Sequence, residues 1–172
     1  MPHPILKKLA GGDRRSIGRS NEVVAEVLSR PALFRFLVKG LIDENPIIRM
    51  RAADALEKTA AQRPELLRPH KNTLLEIAGR TLQQEIRWHR ALLFPRMNLG
   101  AKQRSVAVDI LFDYLRDKSS IVKTCAMQGL AGLAVQDPRL KAKILPLLKE
   151  LADVGTPAMR ARGRKLLAGL AE

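Results

Sequence analysis

The sequence predicts an all-α protein, a stack of helical hairpins without a sheet. Three observations carry this. Leu and Ala are abundant while aromatic residues make up only 3 % of the 172 residues, and Ala and Leu favour helices where strands favour β-branched and aromatic residues. No convincing run alternates apolar and polar residues as a half-buried strand would. One helical pattern also returns four times at nearly constant spacing, the mark of a repeat architecture.

Residues 1–19 hold Lys7, Lys8, Arg14, Arg15 and Arg19 against a single acid, Asp13, and Gly11, Gly12 and Gly18 loosen the backbone. This predicts a flexible basic N-terminal arm, with the repeat domain occupying residues 20–172. Val23, Val24, Val27 and Leu28 then form one face of a short helix at 21–29, with Ser20 or Asn21 as its cap. The remaining helices are expected at 31–42, 46–62, 69–79, 83–97, 102–116, 119–135, 138–152 and 157–170. Asn45–Pro46 and Thr156–Pro157 each place a capping side chain before a proline suited to a first helical turn. Ser119 caps the helix that follows Asp117. Pro95 and Pro146 fall inside helical patterns, where a missing N–H predicts a kink.

The repeat shows when "IIRMRAADAL" (47–56) is laid on "EIRWHRALLF" (85–94), "IVKTCAMQGL" (121–130) and "AMRARGRKLL" (158–167). The basic residues Arg49, Arg87, Lys123 and Arg160 fall 38, 36 and 37 residues apart, and Leu37, Leu75, Leu111 and Leu147 fall 38, 36 and 36 apart. Hairpins this short bury their apolar stripes only by stacking. The stretches "DENPIIRMRAADALEK" and "DKSSIVKTCAMQGLAGLA" resemble the HEAT-repeat family over roughly residues 30–170, although the period is shorter than the roughly 40–47 residues usual there. The resemblance implies an α-α superhelix, a HEAT-like solenoid of about four hairpins with the 21–29 helix as a cap. It also implies a ladder in which an acid in the turn meets the basic residue opening the second helix: Asp43 with Arg49, Asp117 with Lys123, Asp153 with Arg160. Arg87 has Thr81 where an acid would stand. A ligand-binding role for these basic residues is the alternative.

In such solenoids the second helices line the concave face. Arg51 heads a column there with His89, Cys125 and Arg162, and Asp54, Lys58, Arg96 and Lys165 follow one and two turns on. With Arg90 nearby, the residues Arg51, Arg90, Arg96, Arg162 and Lys165 outline a basic groove. An ordinary solvated face, held by Arg51–Asp54 and Asp54–Lys58 spacings, is the competing expectation. Trp88 is either a stacking platform in that groove or inter-repeat packing.

The formal charge of +14 favours polyanionic partners, or simply solubility. A single cysteine, Cys125, excludes an intrachain disulfide and fits a reducing cytoplasm. The opening "MPHPILKKLAGGDRR" has no apolar core of signal-peptide length, and no stretch approaches 18 uninterrupted apolar residues, so neither secretion nor a membrane span is expected. His3, His70 and His89 form no zinc spacing with Cys125, and no phosphate-loop motif occurs. The expectation is therefore a cytoplasmic, non-catalytic scaffold without metal, cofactor or small-molecule substrate, binding a protein partner. The second expectation is a nucleic-acid-binding module. Its enzymatic form would resemble the HEAT-like alkylpurine DNA glycosylases, with Asp54, Trp88 and Arg90 as the nearest counterparts of that family's Asp, Trp and Arg.

Overall fold

The Asn45 side chain accepts a hydrogen bond from the Ile47 N–H at 2.9 Å, and Pro46 takes the first helical position. The donor that proline lacks is one the first turn could not have used. The same device opens other helices: Ser119 accepts from Val122 N–H, and Asp137 accepts from Arg139 and Leu140 N–H ahead of Pro138. Thr156, ahead of Pro157, accepts from Met159 N–H at 3.3 Å.

The computed structural model describes residues 3–171, and among them there are ten α-helices and no strand. They are α1 (Pro4–Lys7), α2 (Ser20–Ser29), α3 (Phe34–Gly40), α4 (Pro46–Gln62), α5 (Lys71–Arg80), α6 (Gln84–Leu93), α7 (Ala101–Tyr114), α8 (Ser120–Val135), α9 (Pro138–Val154) and α10 (Pro157–Ala171). Short 3₁₀ turns at Pro31–Leu33 and Phe94–Arg96 fill residues expected to be helical, and a third, Pro64–His70, fills the expected break before residue 69 and the first two residues after it. The reason is local. Pro95 and Pro69 each deny the backbone donor that would carry an α-helical ladder through those turns, whereas Pro31 and Pro64 only open theirs. Pro95 therefore ends α6 rather than kinking it. Pro146 does lie inside α9, which continues through it.

The pairs α3–α4, α5–α6, α7–α8 and α9–α10 pack as hairpins, and α4, α6, α8 and α10 pack on one another in sequence. Leu37, Leu56, Phe94, Leu111 and Leu130, from the repeating columns, are fully buried. Their counterparts Leu147 and Leu167 in the last hairpin are half-buried, because among the described residues no further layer covers them. Close approach needs small residues. A Cβ at Gly129 of α8 would stand 2.5 Å from the Ala91 carbonyl oxygen of α6.

The N-terminal segment corrects the expectation of a flexible arm. Ile5, Leu6 and Leu9 are at most 5 % exposed, α1 packs on α3, and α2 packs on α4 much as α4 packs on α6. Lys8 pairs with Glu26 of α2, and the His3 ring stacks on Phe36 at 3.7 Å. Residues 3–29 thus act as an irregular first layer of the stack. Its sequence hid this because a four-residue helix is too short to show a period.

Candidate functional site

The second helices bring the column residues onto one side of the stack, but they do not make an open basic groove. Arg51, on α4, is 2 % exposed. Its guanidinium donates to the carbonyl oxygens of Leu9 (2.9 Å), Ala10 (3.4 Å), Gly11 (2.6 Å), Asp13 (3.1 Å) and Ser16 (3.0 Å). Residues 9–16 wrap the guanidinium, and Gly18 (φ +53°) completes the turn in a backbone conformation L side chains rarely take; a Cβ there would lie 2.7 Å from the Arg51 guanidinium. Arg51 therefore serves the fold.

Asp54 is likewise committed. Ser20 Oγ donates to it at 2.5 Å and Lys58 Nζ at 2.8 Å, while Lys58 also donates to Asn21 Oδ1. These bonds lock the start of α2 onto α4. Arg90 departs furthest from expectation. It is 1 % exposed, and its Nε, Nη1 and Nη2 have no hydrogen-bond partner among the described residues. Its counterparts in the other units are Ala52, Ala126 and Gly163, all buried, so the helix position itself faces the core. Burial pulls the guanidinium down to about 9, still charged at neutral pH. Trp88 is half-buried against the core, its ring 5.7 Å from that of His89.

What remains is a polar seam across α4, α6, α8 and α10. Arg96 Nη1 meets Glu57 Oε1 at 2.9 Å, and His89 Nδ1 lies 3.7 Å from Glu57 Oε2. At that distance the imidazole makes an ion pair only when protonated, not a good hydrogen bond. His89, and after it Arg96, hold the Glu57 carboxyl below its usual range against the opposing effect of burial. Arg162 donates to Gln128 Oε1. Between them Cys125 is pushed up to about 11 by burial, with Arg162 opposing and Glu57 adding to the shift. A thiol held there is protonated at neutral pH and a poor nucleophile. Of the expected groove only Lys165 is exposed, while Arg96 and Arg162 are half-buried in the seam.

Neither a protein-family model nor a curated protein matches the chain.

The expected pairs within hairpins do not form; Arg49 and Arg87 reach instead into the following unit. Arg87 Nη1 meets Asp117 Oδ2 of the following unit at 2.8 Å, and its Nε donates to the Thr81 carbonyl at 2.9 Å. Arg49 donates to the backbone carbonyls of Asp43 and Glu44 and, through Nε, to Gln83 Oε1 of the next unit at 2.7 Å. Gln83 returns a bond to the Pro46 carbonyl. So Asp117 pairs with Arg87 and not with Lys123, and Asp43 offers Arg49 its carbonyl rather than its carboxylate. Asp153 and Arg160 are both exposed and make no ion pair among the described residues. Side chains in the first turn of a helix lean back toward its N-terminus. A long guanidinium there reaches the turn edge, where the neighbouring unit's turn stands beside its own.

Sequence reasoning missed Glu57 and Gln83 because neither belongs to a repeating column; each acts once. It also missed Arg104, which meets Asp137 across two units at 2.9 Å. Among the described residues no group of His, Cys, Asp and Glu could hold a metal ion, and no helix is long and apolar enough to cross a membrane.

Proposed function

We propose that the chain is a non-catalytic, HEAT-like helical-repeat scaffold of the cytoplasm that binds another macromolecule. The observation that carries this is the state of the polar side chains on the second helices. Arg51, Asp54 and Lys58 are spent on docking the N-terminal layer, and Glu57, Arg96, Gln128 and Arg162 are spent on each other. A working acid–base site needs a group left free to accept or give a proton beside a reacting atom. The seam holds instead a protonated thiol, an engaged carboxylate and the His89 imidazole, whose Nδ1 faces that same carboxylate at 3.7 Å.

The same facts weigh against the base-excision reading. Asp54 has Ser20 and Lys58 on its carboxylate, and Arg90 is enclosed in the core. The test is incubation with duplex DNA carrying alkylated purines, beside a pull-down from native extract with and without nuclease. The scaffold reading expects no released base and a retained partner. Base release that Asp54→Ala abolishes and Lys58→Ala spares would overturn it.

A further inference from the structure

The stack has two long edges, and charge is divided unequally between them. One edge carries the turns inside hairpins, between α3 and α4, α5 and α6, α7 and α8, α9 and α10. The other carries the connections between successive units. Contacts tie the latter into one continuous surface: the Phe34 ring lies 5.8 Å from that of His70, Lys71 donates to the Asn98 carbonyl, Gln103 to Asn72, Gln136 to the Pro95 carbonyl, and Arg104 to Asp137.

The connecting segments 30–35, 63–71, 94–104 and 135–143 hold eleven lysines and arginines against two acids. Both acids are neutralised, Glu65 by Arg63 and Asp137 by Arg104. The turn-edge segments 40–49, 80–87, 113–123 and 153–160 hold seven against six. The N-terminal layer adds Arg14, Arg15 and Arg19 beside the turn edge, and Arg19 is paired with Glu22. The surplus positive charge of the four hairpins thus lies along the connecting edge. There Arg35, Arg68, Lys71, Lys102, Arg139 and Lys143 have no carboxylate within ion-pair distance among the described residues. A depression of about 240 Å³ between two connections is lined by Arg68, Lys71 and Arg96.

The rest of the edge decides which polyanion fits. A protein interface needs buried apolar or aromatic anchors. Each of the four turn-edge segments exposes one: Ile42, Leu82, Ile121 and Val154. The connecting edge exposes only Val135 and, just beyond it, Val106. Single-stranded nucleic acid is held by stacking on exposed aromatics, but no Phe, Tyr or Trp of the described residues is exposed. The surface offers cations in a row, at intervals set by helix packing of about 8–10 Å. Four connections then span roughly 25–30 Å, which matches the phosphates along most of one turn of a duplex at about 3.4 Å per base pair.

We infer that the connecting edge binds the phosphate backbone of double-helical nucleic acid, without reading its sequence. This rests on the scaffold reading and names its partner. Phosphate contacts position a protein and carry no sequence information, and a row of lysines and arginines without base-reading amides supplies nothing else.

The experiment is fluorescence anisotropy of the full chain with a labelled mixed-sequence duplex of one to two turns, titrated with salt. The connecting-edge variant is Arg68→Glu, Lys102→Glu, Lys143→Glu. The control, with the same change of charge, is Arg80→Glu, Lys118→Glu, Arg160→Glu on the turn edge. The three glutamine replacements at 68, 102 and 143 form a milder version, in case the reversed charges disturb folding, and circular dichroism reads folding in each. The connecting-edge variants should weaken binding at least tenfold and flatten the log–log salt dependence by roughly 0.9 per lost contact, with the control near wild type. Equal losses from both edges would overturn the inference by showing that only net charge matters. Competition by polyglutamate or by anionic phosphatidylglycerol vesicles, as strong as that of unlabelled duplex per charge, would also overturn it. Either result leaves the scaffold reading standing, which base release or the absence of any retained partner would remove.

Discussion

Arg51 and Arg90 lie one unit apart on adjacent second helices, are equally buried, and differ in everything that burial demands. Arg51 gives its donors to five carbonyl oxygens; Arg90 gives its donors to none among the described residues. The cause lies in the neighbours. Helical carbonyls are consumed by their own ladder, so a guanidinium packed among helices finds no free acceptor. An irregular segment has carbonyls to spare. Residues 9–16, outside any α-helix, turn theirs inward onto Arg51. A buried arginine thus becomes a structural pin where the chain is irregular and a burden where it is regular.

The largest effect expected is from Arg51→Met. It removes hydrogen bonds to a charged donor, worth about 1.5–3 kcal/mol each before compensation, and leaves five carbonyl oxygens without that partner. We expect a loss of about 3–5 kcal/mol in urea unfolding. Amide exchange in residues 9–19 should rise by more than exchange in α8. A variant as stable as wild type, with that segment still protected, would show that the N-terminal layer docks through Ile5, Leu6 and Leu9 alone.

Arg90→Met should act in the opposite direction. The side chains are of similar length, and the replacement removes a buried charge without orphaning a partner. Replacing buried charges by packed apolar groups stabilises other proteins by about 1–4 kcal/mol, and a gain in that range is expected here. The pH dependence follows from the depressed folded-state pKa of about 9. Below it, both folded and unfolded chains carry the proton and the full penalty applies. Above it the unfolded chain binds more protons, so wild type recovers stability as pH rises. The advantage of Arg90→Met should therefore be constant from pH 6 to 8 and shrink above pH 9. A destabilised variant would mean that Arg90 has an acceptor in solution.

These two residues also show what a sequence conveys about this fold. The helices of the four hairpins, their caps and the buried columns were legible because apolar period and capping chemistry are local. The boundaries at Pro31 and Pro95 were missed because the apolar pattern runs on through residues that the structure holds in 3₁₀ turns. The site was less legible. Arg51 and Arg90 have ordinary helical surroundings in sequence, and nothing within seven residues says that a distant loop will cap one and a hydrophobic layer enclose the other. Of the expected ladder, Arg49, Arg87 and Asp117 do link units but through other partners, and Lys123, Asp153 and Arg160 make no ion pair among the described residues, since sequence spacing favours pairs within a hairpin while the stack sets neighbouring turns side by side. The connecting-edge surplus was present in the sequence, but it appears only when the chain is cut at its turns.

Asp117→Ala sharpens the contrast at lower magnitude. It removes an ion pair whose side chains are only 12 % and 14 % exposed, and an oxygen accepting from Ser119 N–H at 2.8 Å. Arg87 keeps its bond to the Thr81 carbonyl and its place over the Tyr114 ring at 5.0 Å. The cost should accordingly be about 2–3 kcal/mol, below the 3–5 kcal/mol for fully stranding a buried charge. Asp43→Ala should cost about 1 kcal/mol or less, because Arg49 uses the Asp43 carbonyl, which survives the substitution. Equal losses at the two positions would indicate that the carboxylate of Asp43 also joins the ladder.

The smallest effect belongs to Lys123→Ala, and it tests whether the ladder is periodic or local. A strictly periodic ladder would make Lys123 the counterpart of Arg49 and Arg87, and its loss would then match theirs. The ammonium has no carboxylate within ion-pair distance among the described residues, since Asp117 is taken by Arg87. At the turn edge the link to the next unit runs instead through the hydroxyls of Ser120 and Thr156, 2.7 Å apart. Lys123→Ala should therefore stay within about 0.5 kcal/mol of wild type, while Ser120→Ala should cost about 1 kcal/mol for one neutral hydrogen bond. Urea midpoints of the two variants, at unchanged slope, would order them. Should Lys123→Ala prove the costlier, the unit interface between α8 and α10 would depend on charge after all, and the hydroxyl pair would be incidental to it.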